Sequence, residues 1–529
     1  MSSDCITFQN SGYFSKIMVD YLNQSENVKP LYNHFPTLEN FKLQIEEKKN
    51  FSQNNRDILA HSLSEQYKNL NVSALTSQNI ELLKESNTFT ITTGHQLNLF
   101  TGHLYFLYKI ISVINLTKEL KAKYSEYNFV PVFWLATEDH DFDEINHFHL
   151  HGKTISWNRQ ANGAVGELDT NGLDEVFKVF SNEIGTSKNA EYLKNLFENA
   201  YLKHDNLTDA TRFLVNELFS EYGLVIIDGN DKNLKSLFAP YVKNELLNQT
   251  SYKKVSETIK DFPSTIQVNP REINLFYLDK NLRERIIKNN DTYVVNNTDL
   301  RFSENEILDL TDSNPEKFSP NVIMRPLYQE IILPNLCYVG GGGELAYWLE
   351  LKSSFKEVKV PFPVLLLRNS VLLVTEKQNK KREKLNLSFL DLFEKQFNLI
   401  NRKATEFSQT NVDFSGLKQQ LEQQFDILKK AVHKTDKSFV GAVNAQERKQ
   451  IKGLENLEKR LLKANKKYFS DKLEQIASLQ NELFPNQNLQ ERVGNFSEFY
   501  VAYGENLIEK LFEKQKPLGS EFLVVSFNF

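Results

Sequence analysis

The sequence predicts an α/β fold in which a doubly wound, mainly parallel sheet is joined to a separate α-helical region. From about Ser86 to Glu376, short apolar runs alternate with helical patterns, as in parallel sheets that helices cover on both faces. From about Lys377 onward, Lys, Glu, Gln and Leu dominate, and apolar residues recur at heptad spacing. Six of the ten histidines lie between Thr92 and His151, where two predicted strands end. Titratable residues at strand ends indicate a small-molecule site at the carboxyl edge of the sheet.

Residues 1–376 are expected to form the sheet domain. Its predicted strands are Phe89–Thr92, Pro131–Ala136, Leu224–Asp228, Leu336–Val339 and Val364–Leu367. The helical patterns between them include Leu104–Leu120 and Thr208–Tyr222. The stretch before the first strand is polar and helical in pattern, and we expect it to cover the sheet. The intervals 152–205 and 262–325 are too long for simple crossovers, so inserted subdomains are expected near both.

Residues 377–485 are predicted to form an antiparallel coiled-coil arm. Leu454, Leu457 and Leu461 follow alternating three- and four-residue steps, and a second apolar frame begins at Phe469. A heptad pattern with one phase slip is typical of long helices that pack side by side. The uniformly charged residues between the apolar positions favour an arm that protrudes into solvent.

The two helices of the arm are expected to form a hairpin, with the turn near Thr435–Asn444. The alternative is an ordinary helical bundle packed on the sheet domain. Residues 486–529 regain aromatic side chains and end in FLVVSFNF, a pattern that predicts a strand. We expect this C-terminal segment to dock back on the sheet domain.

The composition argues against several classes of protein. Hydrophobic residues make up 40% of the chain and charged residues 25%, and the net charge is −5, which gives no reason to expect a nucleic-acid or anionic-membrane surface. Cys5 and Cys337 are far apart and neither belongs to a CxxC pair, which argues against a disulfide framework. No run of about 20 apolar residues could span a membrane, and the first residues lack the pattern of a signal peptide. We therefore expect a soluble cytoplasmic protein.

The first candidate site segment is TTGHQLNLFTGH, which joins a predicted strand to a predicted helix. Gly102 is expected to cap the helix, so that main-chain N–H groups face an anion. His95, Gln96 and His103 can donate to phosphate or carboxylate oxygens, and Lys109 follows about two turns into the helix. The alternative is a simple strand–turn–helix connection with incidental histidines, since neither a Walker sequence nor GxGxxG is present.

The second segment, TEDHDFDEINHFH, is the densest acidic cluster. Its titratable residues are Glu138, Asp139, His140, Asp141, Asp143, Glu144, His147 and His149. Crowded carboxylates repel one another unless they bind a cation, an amine or basic side chains. They could hold Mg²⁺ beside a nucleotide, bind a substrate ammonium group, or supply a general base. A zinc or manganese hydrolase is the rival interpretation. The part after Asp143 is expected to form a helical turn or a hairpin with partly exposed histidines.

The third segment runs from Ser319 to Lys352. Arg325 is polar in an apolar neighbourhood, and Cys337 is expected to be a core thiol. The glycines at 340–343 would let the backbone approach a ligand closely, with Glu344 at the start of the next helix. Tyr347 and its neighbour Trp348 could form the wall of a sugar or adenine pocket, or could simply pack. A flexible strand–helix joint is the alternative.

A family resemblance emerges from four of these segments. TGHQLNLFTGHLYFLYKIIS, PVFWLATEDHDFDEINH, SPNVIMRPLYQEIILPN and GGGELAYWLELK resemble the bacillithiol biosynthesis cysteine-adding enzyme family, in the same order and at the same spacing. The resemblance covers essentially the whole chain. It implies a Rossmann-like core with two connecting-peptide insertions and a coiled-coil arm that forms a homodimer. The chain departs from many relatives by having Gly102–His103 and Gly341–Gly342 in place of glycine–proline.

The resemblance implies a ligase that joins cysteine, through its carboxylate, to the amine of glucosaminyl malate in the last step of bacillithiol biosynthesis. An amide does not form efficiently from a free carboxylate, so a nucleotide, ATP with Mg²⁺, is expected to activate it through an acyl-adenylate or acyl-phosphate. Two other functions stay open: a metal-dependent hydrolase or transferase that uses the EDHD cluster, and a non-catalytic assembly protein organised by the coiled coil.

The candidate site residues rest on the local chemistry of the three segments. The candidate catalytic residues are His95, Asp139, His140 and Asp141, of which Asp139 and Asp141 are also candidate Mg²⁺ ligands. The candidate substrate- or nucleotide-binding residues are Thr93, Gly94, Gln96, Gly102, His103, Lys109, Glu138, Arg325, Gly341, Gly342, Gly343, Glu344 and Tyr347.

Overall fold

The computed structural model describes residues 5–408, 413–432 and 437–527 of the chain. Two compact units are distinguished by their internal contacts. The larger one, called the sheet unit here, is built mainly from Tyr13–Leu372 and Gln490–Leu523, and the smaller one, called the arm, mainly from Leu373–Leu489. No helix among the described residues is long and apolar enough to cross a membrane.

The secondary structure is mixed. The strands are β1 (Cys5–Thr7), β2 (Thr88–His95), β3 (Asn128–Leu135), β4 (His147–Leu150), β5 (Lys153–Ser156), β6 (Val225–Asp228), β7 (Leu275–Asp279), β8 (Leu282–Asn289), β9 (Thr292–Val295), β10 (Arg301–Ser303), β11 (Phe318–Pro320), β12 (Asn335–Gly340), β13 (Val364–Leu367), β14 (Val371–Thr375) and β15 (Glu521–Phe527). The helices of the sheet unit up to Glu357 are α1 (Phe8–Ser11), α2 (Lys16–Leu22), α3 (Leu38–Lys48), α4 (Gln53–Gln66), α5 (Ala74–Leu82), α6 (Tyr105–Lys123), α7 (Phe142–Ile145), α8 (Leu173–Glu183), α9 (Lys188–Tyr201), α10 (Leu207–Phe219), α11 (Lys232–Asn248), α12 (Thr250–Lys260), α13 (Glu304–Ser313), α14 (Arg325–Ile332), α15 (Gly342–Trp348) and α16 (Lys352–Glu357). The later helices are α17 (Glu376–Lys384), α18 (Phe389–Phe393), α19 (Gln396–Ser408), α20 (Ser415–Val432), α21 (Lys437–Tyr468), α22 (Ser470–Leu483), α23 (Phe496–Tyr503) and α24 (Glu505–Lys514).

The central sheet of the larger unit has the order β13-β12-β2-β3-β6, and every neighbouring pair is parallel. These are the five strands that the sequence predicts, so the α/β fold class with a parallel sheet is confirmed. β2 continues three residues beyond its predicted end because it stays paired with β3, with Gly94 beside Trp134 and His95 beside Leu135. The carboxyl ends of β2 and β3 therefore reach the same edge.

One hydrophobic cluster fills a face of this sheet. It contains Phe89 and Ile91 of β2, which are fully buried and, being two residues apart, lie on the same side of the strand. Helix α6 contributes Val113 and Leu116 to this cluster, and α3 contributes Phe41, so a helix from the N-terminal region covers the sheet. The cluster also includes the buried free thiol of Cys337, in agreement with a core role for that residue.

A second sheet, called the inserted sheet here, has the order β10-β9-β8-β7-β11. Its strands lie in the sequence between β6 and β12 of the parallel sheet. All of its pairings are antiparallel. After β3, the short helix α7 is followed by the β4–β5 hairpin. The turn residues of this hairpin, His151 and Gly152, have φ of 49° and 76°. Both the helical turn and the hairpin expected after Asp143 are therefore present, and positive φ at both turn positions is what a two-residue hairpin requires.

The arm contains the antiparallel coiled coil that the sequence predicts. Helices α20 and α21 are crosslinked by the ion pairs Lys418–Glu458 and Lys429–Glu447, each with a shortest N–O distance of 2.7 Å. Lys418 precedes Lys429 on α20, whereas its partner Glu458 follows Glu447 on α21. The two helices are therefore antiparallel. A small apolar cluster around Phe425 lies between them.

Two details of the arm are now defined. The phase slip in the heptad pattern coincides with a helix junction, because α21 ends at Tyr468 and α22 begins at Ser470. The expected turn at Thr435–Asn444 is wrong for its larger part, since α21 is already helical from Lys437. Residues 433–436 lie outside the described residues.

The strand expected near the C-terminus is β15, which pairs antiparallel with β1.

Candidate functional site

A cleft of about 740 Å³ lies at the carboxyl edge of the parallel sheet, within the sheet unit. The sequence-predicted residues that line it are Gly94, His95, Gln96, Lys109, Glu138, Asp139, His140, Arg325, Glu344 and Tyr347. This arrangement follows from the parallel register, which brings the segments after β2 and β3 side by side. The three separate segments of sequence thus contribute to one cavity.

The acidic side of the cleft is organised by one amide group. Nε2 of Gln96 donates to Oδ2 of Asp139 at 2.8 Å and to Oε2 of Glu144 at 2.7 Å. Because an amide nitrogen carries two protons, one donor group serves both carboxylates and holds them close together. Two neighbouring carboxylates attract a cation or an ammonium group. Glu144 thereby takes the place beside Asp139 that the sequence interpretation gave to Asp141.

Glu138 has a different environment from Asp139. Its carboxylate lies 2.6 Å from Nζ of Lys235, a side chain that is only 1% exposed. Lys235 also donates to Asn230 and to the main-chain oxygen of Glu316. A buried ammonium with two hydrogen-bond acceptors is fixed in place, so Glu138 acts as its internal counter-ion and Asp139 is left as the freer acid.

A buried ion pair forms the base of the cleft. Nζ of Lys109 lies 2.8 and 2.9 Å from the two oxygens of Glu344 and also donates to the main-chain oxygen of Gly94. Tyr338 donates to the same carboxylate at 2.6 Å. Burial alone would raise the pKa of Glu344, but Lys109 and the hydrogen bond from Tyr338 hold that pKa below its usual value. The pair is therefore ionised and joins β2, α6, β12 and α15.

The basic side of the cleft comes from arginines that the sequence interpretation largely missed. Arg283 and Arg285 are two positions apart on β8, so they share a face of that strand, and Arg271 precedes β7. Only Arg325 was singled out. Its guanidinium lies 5.7 Å from the ring centroid of Trp134, and two further rings surround it. Arg283 and Arg285 do not belong to a recognisable sequence motif. The signal that could have found them is their spacing of two residues, which places both on one face of a strand.

His95 lies on the cleft in a neutral state. Burial, together with the positive charge of Lys109, lowers the pKa of His95 well below its usual value. Its ring packs against Tyr105 and Phe106, with centroids 5.3 Å from each. Among the described residues, Nε2 of His95 is buried without a hydrogen-bond partner, as is Nη2 of Arg325. Buried polar atoms without partners are uncommon and indicate a place where a ligand completes the hydrogen bonding.

Several sequence-predicted residues do not line the cleft. Thr93 is buried and donates to the main-chain oxygen of Val339 at 2.7 Å, which is a structural contact. Asp141 is exposed and precedes α7, with no side-chain capping bond. His103 packs in a row with His149, with ring centroids 6.3 Å apart.

The expected helix cap at Gly102 is wrong. Helix α6 begins at Tyr105, and its N-cap is Leu104. Gly102 has a φ of 62°, and its main-chain oxygen accepts a hydrogen bond from Asn495. The main-chain N–H of Leu104 donates to Gly494, so protein atoms, and not a free anion site, occupy this end of the helix.

The glycine run is also placed differently from the interpretation. The N-cap of α15 is Gly341, and Oε1 of Glu344 accepts from its N–H at 3.3 Å. Neither Gly342 nor Gly343 lines the cleft. A Cβ at Gly342 would lie 3.3 Å from Met18, which shows that this backbone approaches the N-terminal region of the chain. Glu344, directly after the run, is the residue that reaches the cavity.

Metal binding has no dedicated cluster in the described parts of the chain. Over residues 5–408, 413–432 and 437–527, no group of three or more His, Cys, Asp or Glu is arranged to hold a metal ion. Asp139 and Glu144 are the two carboxylates that Gln96 brings together at the cleft.

Comparison with known proteins decides the family. Residues 1–369 match the family described as "Bacillithiol biosynthesis BshC, N-terminal Rossmann-like domain", and residues 371–527 match "Bacillithiol biosynthesis BshC, C-terminal coiled-coil domain". The chain belongs to the bacillithiol biosynthesis BshC family. The expected Rossmann-like core and coiled-coil domain are both confirmed by these matches.

The chain is similar over its whole length to proteins named "Putative cysteine ligase BshC". The one from Flavobacterium johnsoniae is 61% identical over 99% of this chain and 100% of its own, and the one from Cytophaga hutchinsonii is 38% identical over 98% and 97%. A crystal structure described as a putative arginyl-tRNA synthetase from Campylobacter jejuni covers 83% of this chain and 97% of its own at 10% identity, with a TM-score of 0.24, which supports no argument. By its family, this chain is an enzyme of the ligase class.

A pH prediction follows from the buried histidines beside the cleft. Burial, with His149 and His147 nearby, lowers the pKa of His103 to about 4 from an ordinary value of 6.5. Between pH 6.5 and pH 4, His103 is therefore protonated in the unfolded chain but not in the folded chain. The free energy of unfolding consequently falls as the pH drops from 6.5 to 4. A shift of this size corresponds to roughly 3 kcal/mol. His103→Gln should reduce this acid-side loss by the share due to His103, while the share due to His95 stays.

The thermal unfolding midpoint of wild type and variant, measured at about pH 7 and about pH 5, tests the shift at His103. His61→Gln is the matched control, because His61 is exposed on α4 and should leave the pH dependence unchanged. An acid-side loss in His103→Gln as large as that of wild type would show that this histidine does not cause it.

Proposed function

We propose that this chain adds cysteine, through its carboxylate, to the amine of glucosaminyl malate in the last step of bacillithiol biosynthesis, in the cytoplasm. The observation that carries the proposal is the charge arrangement of the cleft. One cavity holds a pair of carboxylates on Gln96 and a set of arginines that includes Arg285 and Arg325. Amide formation between these substrates needs both kinds of group, and family membership supplies the reaction class.

The carboxylate pair suits the amine of the second substrate. An amine attacks only after it loses its proton, and a carboxylate within hydrogen-bond reach can receive that proton. Asp139 is the candidate base, because its side chain is 28% exposed at the cleft whereas Glu138 is engaged by Lys235. Gln96 would hold Asp139 and Glu144 in place while the amine binds.

The arginines suit the anionic parts of the substrates. Glucosaminyl malate carries carboxylates on its malate portion, and a guanidinium can bind a carboxylate with two parallel hydrogen bonds. Arg271, just before β7, and Arg285, on β8, line one side of the cleft. We assign the malate portion to this side and the amine to the Asp139 side.

We further propose that a nucleotide, ATP with Mg²⁺, activates the cysteine carboxylate. A phosphate group fits the buried atoms that lack partners, Nε2 of His95 and Nη2 of Arg325, because both nitrogens can donate to an anionic oxygen. When bound, the nucleotide would supply the leaving group that a free carboxylate lacks. Glu144 is the carboxylate beside Asp139 that stays available to Mg²⁺ while Asp139 acts as the base.

The central test compares two neighbouring aspartates. Asp139→Asn should lower formation of the cysteinyl adduct by about 100-fold or more, because it removes the base and the negative charge from the cleft. Asp141→Asn is the matched control: the same chemical change, two residues away, at an exposed position outside the cleft. It should change the rate by less than about threefold. His95→Ala should also abolish product formation.

Mass spectrometry can detect the cysteinyl adduct of glucosaminyl malate after each purified variant is added to a lysate that lacks its own enzyme. The lysate supplies the energy donor. Full product yield from Asp139→Asn and His95→Ala would reject the cleft as the site of reaction. Equal losses in Asp139→Asn and Asp141→Asn would mean that the acidic segment acts through its overall charge.

We also propose that the arm joins two copies of the chain as a homodimer. α21 leaves large apolar side chains in solvent, including Leu457, which is 54% exposed, and Tyr468, which is 83% exposed. Exposed apolar side chains along one long helix indicate an interaction surface. This surface is separate from the cleft, where cysteine and glucosaminyl malate would bind.

Replacing Leu454, Leu457 and Leu461 with lysine should convert the homodimer to a monomer without unfolding the sheet unit. The reason is that charged side chains disrupt an apolar helix–helix surface. The control exchanges Lys452 and Lys459 on the same helix for glutamine and should leave the dimer intact. Light scattering that still reports a dimer for the folded leucine variant would count against the arm as the contact.

A further inference from the structure

A hydrogen bond between two segments of the sheet unit fixes the state of His140. Nη1 of Arg283, on β8, lies 2.7 Å from Nδ1 of His140, which follows β3. A guanidinium has only donors, so Nδ1 must accept and carries no proton. In the neutral ring the proton is then on Nε2. This contact decides which nitrogen of His140 can donate.

The competing partner of Nδ1 is Asp139, and distance decides against it. Oδ1 of Asp139 is 3.7 Å from Nδ1, beyond hydrogen-bond reach. The same oxygen already accepts from the main-chain N–H of His140 at 2.8 Å. Arg283, at 2.7 Å, therefore determines the tautomer, although a carboxylate beside Nδ1 would favour the opposite one.

Arg283 is itself held rigidly. Its Nε donates to Oγ of Ser319 at 3.2 Å, and its Nη2 donates to the main-chain oxygen of Pro320 at 3.3 Å. The guanidinium also lies 4.0 Å from the ring centroid of Phe276. These contacts come from β7, the neighbour of β8 in the sheet, and from β11, the strand beyond it. A guanidinium fixed on its face and at two edges is pre-organised to hold the third group, His140.

We propose that Arg283 is a positioning residue that keeps His140 as the tautomer with its proton on Nε2. His140 then donates from Nε2 to an anionic oxygen of the substrate in the cleft, where its side chain is 51% exposed. The identity of that oxygen, a carboxylate oxygen of the cysteine being joined, rests on the proposed function. In this arrangement His140 is a hydrogen-bond donor and does not accept the proton of the amine. That role remains with Asp139.

The tautomer can be read directly from the ¹⁵N chemical shifts of the imidazole nitrogens in protein labelled at histidine. The His140 signals are assigned by their loss in His140→Gln. At a pH where the ring is neutral, wild type should show an unprotonated Nδ1 and a protonated Nε2. Arg283→Met should reverse this pattern, because Asp139 becomes the nearest partner of Nδ1. Arg283→Lys, which keeps a donor, should retain the wild-type pattern.

Arg285→Met is the matched control for the tautomer, since Arg285 is on the same strand and lines the same cleft, whereas the hydrogen bond to Nδ1 of His140 comes from Arg283. In the mass-spectrometric assay, Arg283→Met should lower kcat at least about tenfold, and Arg283→Lys should recover part of it. A role limited to folding would move the unfolding midpoint without changing the tautomer.

A proton on Nδ1 in wild type, or an unchanged tautomer in Arg283→Met, would overturn the positioning role. The two proposals fail separately. If wild type forms no cysteinyl adduct but shows the predicted tautomer that Arg283→Met reverses, the proposed reaction is rejected and the positioning role of Arg283 is supported.

Discussion

The buried ion pair between Lys109 and Glu344 is the interaction on which the cleft depends. The Lys109 side chain is 1% exposed, so its charge is stable only because Glu344 and the main-chain oxygen of Gly94 surround it. Removing Glu344 from the pair costs about 3–5 kcal/mol, because the charge of Lys109 stays buried. The pair connects the helix after β2 to the helix after β12. It therefore fixes the distance between two strand ends that a small substrate must span.

The sheet was predictable from sequence, for a physical reason. A strand buried on both faces is usually a nearly continuous apolar run, and four of the five predicted strands have that composition, whereas Phe89–Thr92 alternates apolar residues with threonine. Their parallel order also meant that the segments after Ile91 and Val132 would meet at one edge. The sequence alone therefore predicts that His95, Gln96 and Asp139 lie close together. The heptad pattern of the arm was equally direct, because it recurs over many turns.

The finer geometry of the site was not predictable in the same way. Glycine beside a helix suggests an anion site, but whether the N–H groups are free depends on distant residues. Here Gly494 and Asn495, almost 400 positions later in the chain, occupy the bonds around Gly102 and Leu104. Arg283 was missed for a related reason, since its partners come from three separate segments. Asp141 and Glu144 are three residues apart, and only the course of α7 decides which of them joins Asp139.

The polar groups of the cleft are held in place by other protein groups before the substrate binds. Gln96 restrains two carboxylates, Arg283 restrains His140, and Lys109 restrains Glu344. The most direct test is a crystal structure of the chain with glucosaminyl malate bound. The account predicts density between the Gln96 and Asp139 side and the arginines of the inserted sheet, with the amine nearest Asp139. Substrate density confined to another part of the molecule, with this cleft empty, would contradict it.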